Sequence, residues 1–183
     1  GLRGFGCPAL LKARRASYDG RGNALIADPA QAEAAFASFK GRPLMLERFV
    51  DFEREISVIA ARSTTGEIRT FPVGENVHVD NILRTTIVPA RIDPAAARRA
   101  GELAAATLAA LQGAGVFGIE MFLDRQGGVL INEIAPRVHN SGHYTIEACR
   151  TSQFEQHLRA ISGLPLGDPS LLYAAVMVNL LGA

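Results

Sequence analysis

The sequence predicts an α+β (mixed α/β) fold with antiparallel hairpins, on three observations. Apolar runs of strand length flank turn clusters at Thr64-Thr65-Gly66 and Arg125-Gln126-Gly127-Gly128, the signature of hairpins. Two Asp-Pro pairs, Asp28-Pro29 and Asp93-Pro94, each open a helix with aspartate as cap and proline at the first helical position. Strands and helices do not alternate regularly, so a doubly wound parallel sheet is not expected.

In chain order, residues 9–13 read as a short strand and 15–23 as a glycine-punctuated loop. The helix opened at Asp28 runs to about residue 40, where Gly41 and Pro43 stop it. Residues 44–50 form an apolar strand, 54–63 and 68–73 a hairpin, and 83–90 a further strand. The helix opened at Asp93 continues to about residue 112; its alanine-rich run, with Leu103, Leu108 and Leu111, suits close packing. Strands follow at 116–124 and 129–134, then a polar loop over 135–143. Ser152 and Glu155 form a capping box that opens one more helix. Residues 176–181 are expected to be a final buried strand.

Composition narrows the function. The chain has 183 residues, 48% hydrophobic and 20% charged, an ordinary globular balance. Lys+Arg number 19 against 18 Asp+Glu, so no basic field argues for nucleic acid. No apolar run reaches membrane-spanning length; the longest, 171–181, is broken by Asn179. Cys7 and Cys149 are far apart and form no metal or redox pattern, which reads as plain thiols in a reducing cytoplasm. No signal peptide is visible, and the start at Gly1 and stop directly after an apolar strand read as a piece of a longer protein.

Four segments bear chemistry. Glu120 and Glu133 each interrupt an apolar strand. With a four-residue loop, Asp124 faces Val129, and the same register sets Glu120 directly opposite Glu133. Like charges so placed destabilise a hairpin unless a cation lies between them, and a hard divalent ion with a nucleotide phosphate resolves the conflict. Asn132 adds a neutral oxygen beside them. The other reading is two solvated glutamates on an exposed face. The second segment is Lys12-Ala-Arg-Arg-Ala-Ser-Tyr-Asp-Gly-Arg-Gly-Asn23, a strand lysine followed by a glycine-containing loop able to present N–H groups to phosphate; a solvated basic turn reads the same way. Third, the strand end Glu47-Arg48-Phe49-Val50 can offer backbone groups to an adenine edge, and Glu55 can accept ribose hydroxyls; from these residues alone an ordinary strand end with surface acids is the favoured reading. Fourth, Arg137-Val-His-Asn-Ser-Gly-His143 is dense in proton-handling groups directly after the paired carboxylates; its alternative is a hydrated connector. His78 alone reads as structural.

Together these segments resemble the ATP-grasp superfamily, specifically its 5-(carboxyamino)imidazole ribonucleotide synthase branch. The resemblance rests on the Lys12 loop and Phe52-Glu-Arg-Glu, on Gly115-Val-Phe-Gly-Ile-Glu120 and Asn132-Glu-Ile-Ala-Pro-Arg, and on His139-Asn-Ser-Gly-His-Tyr-Thr-Ile-Glu147. Thr151-Ser-Gln-Phe-Glu-Gln-His-Leu-Arg-Ala and Gly163-Leu-Pro-Leu-Gly167 complete it. It spans nearly the whole chain. It implies two lobes of mixed or antiparallel sheet whose helices clamp the nucleotide: a partial small lobe at 1–50 and a large catalytic lobe at 51–183. An N-terminal Rossmann-like domain and a small C-terminal domain of the family are not in this sequence.

The resemblance further implies ATP and Mg²⁺ as cofactors. Lys12, Ser17, Tyr18, Asp19, Gly20, Arg21, Gly22 and Asn23 would contact ATP, with Glu47, Arg48, Phe49 and Val50 at the adenine, Glu55 at the ribose and His78 nearby. Glu120 and Glu133 would hold the metal, with Asn132 and Glu133 also meeting the nucleotide. Tyr18, Asp19 and Arg21 would meet aminoimidazole ribonucleotide; Arg137, His139 and Asn140 would handle bicarbonate and its phosphorylated intermediate. A cytoplasmic homodimer, with no nucleic-acid or membrane partner, is the family's habit. Ala16 and Ser17 stand where the family carries two glycines, which stiffens the phosphate loop, and Val138 stands where it carries proline. The alternatives are another ATP-grasp carboxylate–amine ligase, biotin carboxylase-like or glycinamide ligase-like, and a non-catalytic nucleotide-binding module.

Overall fold

A computed structural model describes residues 4–15 and 22–180. The chain divides into two compact units, Gly1–Asp51 and Phe52–Ala183.

The first unit is a three-stranded antiparallel sheet, β1 (Ala9–Ala13), β2 (Asn23–Ile26) and β3 (Leu44–Arg48), in the order β2-β1-β3. Leu11, Ala13, Ile26 and Phe39 form its core. Asp28 accepts a hydrogen bond from the Ala30 amide at 2.8 Å, as its cap position predicts. The first turn, however, is a 3-10 helix, Pro29–Gln31, and α1 (Ala32–Ser38) stops short of residue 40. Lys40 and Gly41 take positive φ (50° and 78°), which no helix can continue. β2 lies partly in the segment expected to be loop. Four residues give no usable alternation, and it forms by pairing Asn23 with Lys12 and Ile26 with Ala9.

The second unit is built on a seven-stranded antiparallel sheet. Its strands are β4 (Phe52–Arg62), β5 (Ile68–Thr70), β6 (Gly74–Val79), β7 (Ile82–Val88), β8 (Gly115–Asp124), β9 (Val129–Ala135) and β10 (Ala175–Val178), ordered β10-β7-β6-β4-β8-β9 with β5 also on β4. The helices are α2 (Pro94–Leu111), the single turn α3 (Thr145–Ala148) and α4 (Gln153–Ile161).

One face of the sheet packs on α2. Ile56, Val58 and Ala60 of β4 and Phe117, Ile119 and Met121 of β8 meet Ala100, Ala104 and Leu108. Buried residues at 96, 100, 104 and 108 give α2 a narrow stripe, small enough at its alanines for the backbone to approach the strands. Leu111 is not part of it: one turn beyond the stripe, it is exposed. At one end of the opposite face, Ile59, Ala61 and Val116 meet Tyr144, Ala148, Cys149 and Ala160. Burial pushes the Cys149 thiol up to about 11, so it is inert at neutral pH.

Three elements differ from expectation. The β6–β7 hairpin turns on Asp80 and Asn81, both at positive φ (53° and 60°). Asp and Asn tolerate that conformation without glycine, so the turn lacks the usual signal. β5 ends at Thr70, ahead of Pro72. β10 is an edge strand, with Val176 and Val178 about 60% exposed (62% and 60%), not a buried one. Among the described residues no helix is long and apolar enough to cross a membrane.

Glu75 of β6 is 4% exposed. Its carboxylate accepts from Arg54 Nη1 at 2.8 Å and from the Arg91 amide, Nε and Nη2 at 3.2, 3.0 and 2.6 Å. This ties β4, β6 and the segment after β7 together. The Arg91 hydrogen bonds hold Glu75 below the ordinary carboxylate value. Its stabilisation is therefore complete above the unfolded carboxylate value and lost as pH falls through the lowered folded value. Glu75→Gln is expected to cost about 1–3 kcal/mol at neutral pH, with the deficit shrinking in acid; urea melts across pH check it.

Candidate functional site

On the partly covered face, the strands carry polar side chains where α3 and α4 no longer reach. Glu55 and Ser57 of β4, Asn76 and His78 of β6, and Glu120 of β8 follow the two-residue alternation that points them away from α2. Glu55 is paired with Asn76, and Ser57 with Glu120. A small cavity joins Glu55, Asn76, His78, Glu120, Phe122 and Asn132.

Glu120 stands directly opposite Glu133. The route to this register differs from the expected one. The hairpin closes on Leu123 and Val129, one residue earlier on β8, and a bulge between Glu120 and Met121 takes up the difference. Asn132 is the extra residue, left without a partner across the ladder. The bulge therefore places both carboxylates and turns Asn132 toward the same cavity. Glu133 is exposed and Glu120 partly buried, so the flanking Ile119 and Met121 are core residues while Ile131 is 39% exposed.

Burial raises Glu120 above the ordinary carboxylate value; Glu133 and Glu55 raise it further, against His78 and Arg137. His78 is raised by its hydrogen bond to Glu55, made from Nδ1. His78 thus sits among three acids, Glu55, Glu120 and Glu133. The oxygen donors and the negative crowding suit a hard divalent cation. Among the described residues no group of three or more His, Cys, Asp or Glu forms a complete metal site. An ion here would take its remaining ligands from phosphate and water.

His139 reaches this face from the loop after β9. Its Nε2 lies 3.5 Å from Glu120 Oε1. Burial, with Arg137 and His143 nearby, lowers it to about 4. Nδ1 lies 2.9 Å from Ser141 Oγ and accepts from the Ser141 amide at 3.3 Å, which leaves Nε2 as the ring nitrogen that faces Glu120. The approach is that of a neutral ring and not an ion pair. Gly118 makes it possible: a Cβ there would lie 2.5 Å from His139 Cβ and Cγ. Arg137 is exposed, its Nη1 donating to Val138 O at 2.9 Å, and Asn140 Oδ1 lies 3.0 Å from His143 Nδ1.

In the first unit, Lys12 Nζ is 2.5 Å from Glu47 Oε2 across β1 and β3. Its own sheet thus supplies this strand lysine with an anionic partner. Gly22 accepts from the Ala13 amide at 2.9 Å and Asn23 opens β2. Arg48 and Phe49 are exposed, and Val50 is half-buried. Ser17, Tyr18, Asp19, Gly20 and Arg21 lie outside the described residues.

Sequence reasoning missed Ser57, Asn76, Ser141 and Gln153. The spacing of Asn76 and His78 was the available signal for a shared strand face, hidden because β6 was not anticipated. Asn76 Oδ1 accepts from Thr86 Oγ1 at 3.1 Å and Ser57 Oγ at 3.3 Å.

Comparison with known proteins agrees with this architecture. The chain is 50% identical over 175 residues to N5-carboxyaminoimidazole ribonucleotide synthase of Bacillus subtilis (strain 168), covering 96% of this chain and 46% of that protein. It is 50% identical over 183 residues to the enzyme of the same name from Brucella melitensis, covering 99% and 51%. The crystal structure of N5-carboxyaminoimidazole synthase from Aspergillus clavatus, in complex with ADP and 5-aminoimidazole ribonucleotide, superposes with a TM-score of 0.91 at 38% identity, covering 99% of this chain and 47% of that one. The chain thus spans about half the length of the proteins it matches. The ATP-grasp domain profile matches residues 2–154, so a strand-borne carboxylate pair, a loop histidine laid on the same sheet and a separate small lysine-bearing sheet are the parts of a chain that belongs to the ATP-grasp family.

Proposed function

We propose that this chain is the nucleotide-binding and catalytic portion of an ATP-dependent ligase of purine biosynthesis. The enzyme converts 5-aminoimidazole ribonucleotide, bicarbonate and ATP to 5-(carboxyamino)imidazole ribonucleotide, ADP and phosphate. The observation that carries this reading is the meeting of Glu120, Glu133 and His139 on one open sheet face. Relatives about 50% identical bear the synthase name, and the Aspergillus structure holds ADP with the ribonucleotide.

Bicarbonate is a poor electrophile. Transfer of the γ-phosphoryl group of ATP to a bicarbonate oxygen gives ADP and carboxyphosphate. Loss of phosphate frees CO₂ beside the acceptor. The exocyclic amine then attacks its carbon and gives up a proton as the C–N bond forms. Little of this needs covalent help from the protein; positioning and charge neutralisation carry it. Magnesium, bound with the nucleotide, supplies charge neutralisation at the phosphoryl oxygens. Glu120 and Glu133 would hold it, with Asn132 beside them.

Arg137 offers an exposed guanidinium to the bicarbonate anion, and Asn140 lies in the same loop. His139 is held neutral, so its role is to donate from Nε2–H to a developing oxyanion rather than to store a proton. Lys12 exchanges Glu47 for phosphate oxygens, and Glu55 exchanges His78 for ribose hydroxyls. Adenine recognition by Glu47, Arg48, Phe49 and Val50, and substrate contacts from the loop carrying Tyr18, Asp19 and Arg21, follow the family pattern. The homodimer expected of the family belongs to this proposal too.

Two measurements test it. In the protein that carries this chain, bicarbonate-dependent ADP release should rise when aminoimidazole ribonucleotide is added. Release indifferent to the ribonucleotide would sink the substrate assignment and favour another acceptor amine. Glu120→Gln should separate stability from activity. Glu120 is raised in the folded state, so the cost of ionising it begins above the unfolded carboxylate value and is complete once pH exceeds the raised folded value. Without metal, at about pH 8, the variant should melt no lower than the parent. Turnover should fall at least about 100-fold. A variant that melts lower, or that hydrolyses ATP normally, contradicts the assignment.

A further inference from the structure

The Thr151-Ser152-Gln153-Phe154-Glu155-Gln156-His157 string does more than cap α4. Ser152 Oγ accepts from the Glu155 amide at 3.2 Å, which starts the helix. The next residue, Gln153, is completely buried, as is Gln156. A buried primary amide is costly unless both its ends are bonded. Gln153 Oε1 accepts from the His139 amide at 2.9 Å, and its Nε2 donates to the His139 carbonyl at 2.8 Å. A backbone N–H can only donate and a carbonyl only accept, so the orientation of the side-chain amide is fixed. One side chain thus holds both backbone groups of one residue.

The clamp is itself held. The Gln153 amide donates to Thr145 Oγ1 at 2.9 Å, and that hydroxyl donates to Gly142 O at 2.6 Å. Gly142 is packed so closely that a Cβ would meet Gln153 Oε1 at 2.6 Å. On its other side His139 rests on Gly118. Gln156 uses the same chemistry elsewhere, accepting from the Gly167 amide at 2.7 Å and donating to its carbonyl at 3.0 Å.

We propose that Gln153 is a positioning residue: by clamping the His139 backbone against Gly118, it holds the ring Nε2–H over the Glu120–Glu133 face. The inference rests on the role given to His139 above. Gln156, an equally buried clamp on a different loop, is the control.

The test is a double-mutant cycle in the protein that carries this chain, with melting temperature and ADP binding confirming the fold. Gln153→Met keeps size and removes both hydrogen bonds. Its kcat for ribonucleotide-dependent ADP release should fall about 10- to 100-fold, with the ATP KM within about threefold of the parent. Gln156→Met should leave kcat within about threefold at a comparable loss of melting temperature. Because Gln153 acts through His139, His139→Ala/Gln153→Met should be no slower than His139→Ala alone. Additive losses, or equal effects of the two glutamine variants on kcat, overturn the inference. If His139→Ala itself keeps full activity, the role of His139 has failed instead. Should Gln153→Met not fold, Gln153→Glu replaces it. That variant keeps the bond from the His139 amide and loses the donor, and an unchanged kcat would overturn the inference equally.

Discussion

The ten residues of β8 are the constraint on which the second unit depends. Phe117, Ile119 and Met121 point into the α2 core. The intervening positions face the other way and divide by distance along the strand: Val116 is sealed under α4, whereas Glu120 is left at the open end. Gly118 lies between them, and its missing Cβ is the gap into which His139 packs. The strand is paired along nearly its full length with β4 on one side and through β9 on the other. One strand thus fixes the core, the carboxylate pair and the seat of the loop histidine.

The site works against the stability of the chain that builds it. Hydrophobic cover on the lower face stops where the carboxylates begin. Glu120 is consequently both desolvated and crowded by acids, with His78 and Arg137 as partial relief. Glu75, a few residues from His78 along β6, shows the contrary arrangement: two arginines and a backbone amide satisfy one buried carboxylate fully. The same residue type is held ionised by its partners at Glu75 and left crowded by acids at Glu120. The β4–β8 ladder and the α2 interface offset that crowding.

Legibility from sequence followed the range of the forces involved. Asp28 and Asp93 cap as read, because capping is a contact over two residues. The Glu120–Glu133 opposition was read correctly on incomplete grounds: the turn is one residue longer than assumed, and the bulge at Asn132 restores the register. A bulge has no reliable local signal. β6 escaped notice because its turn, Asp80-Asn81, lacks glycine, and with it went the shared face of Asn76 and His78. The edge position of β10 depends on which strand happens to pair with β7, which apolarity does not encode. The Gln153 clamp joins residues fourteen apart through a loop and a helix start, and no periodicity predicts it. The family resemblance pointed to the string that contains it without giving a reason for it.

The proposed function requires the face carrying Glu120 of β8 and Glu133 of β9 to hold the cation that accompanies the nucleotide. The most direct measurement is paramagnetic broadening of backbone amide resonances by Mn²⁺ in the presence of ADP. The account predicts broadening centred on residues 118–122 and 132–134, abolished by replacing Glu120 and Glu133 together with glutamine. Broadening centred on other acids, such as Asp93 or Asp124, with the resonances of Glu120 and Glu133 left sharp, would contradict it.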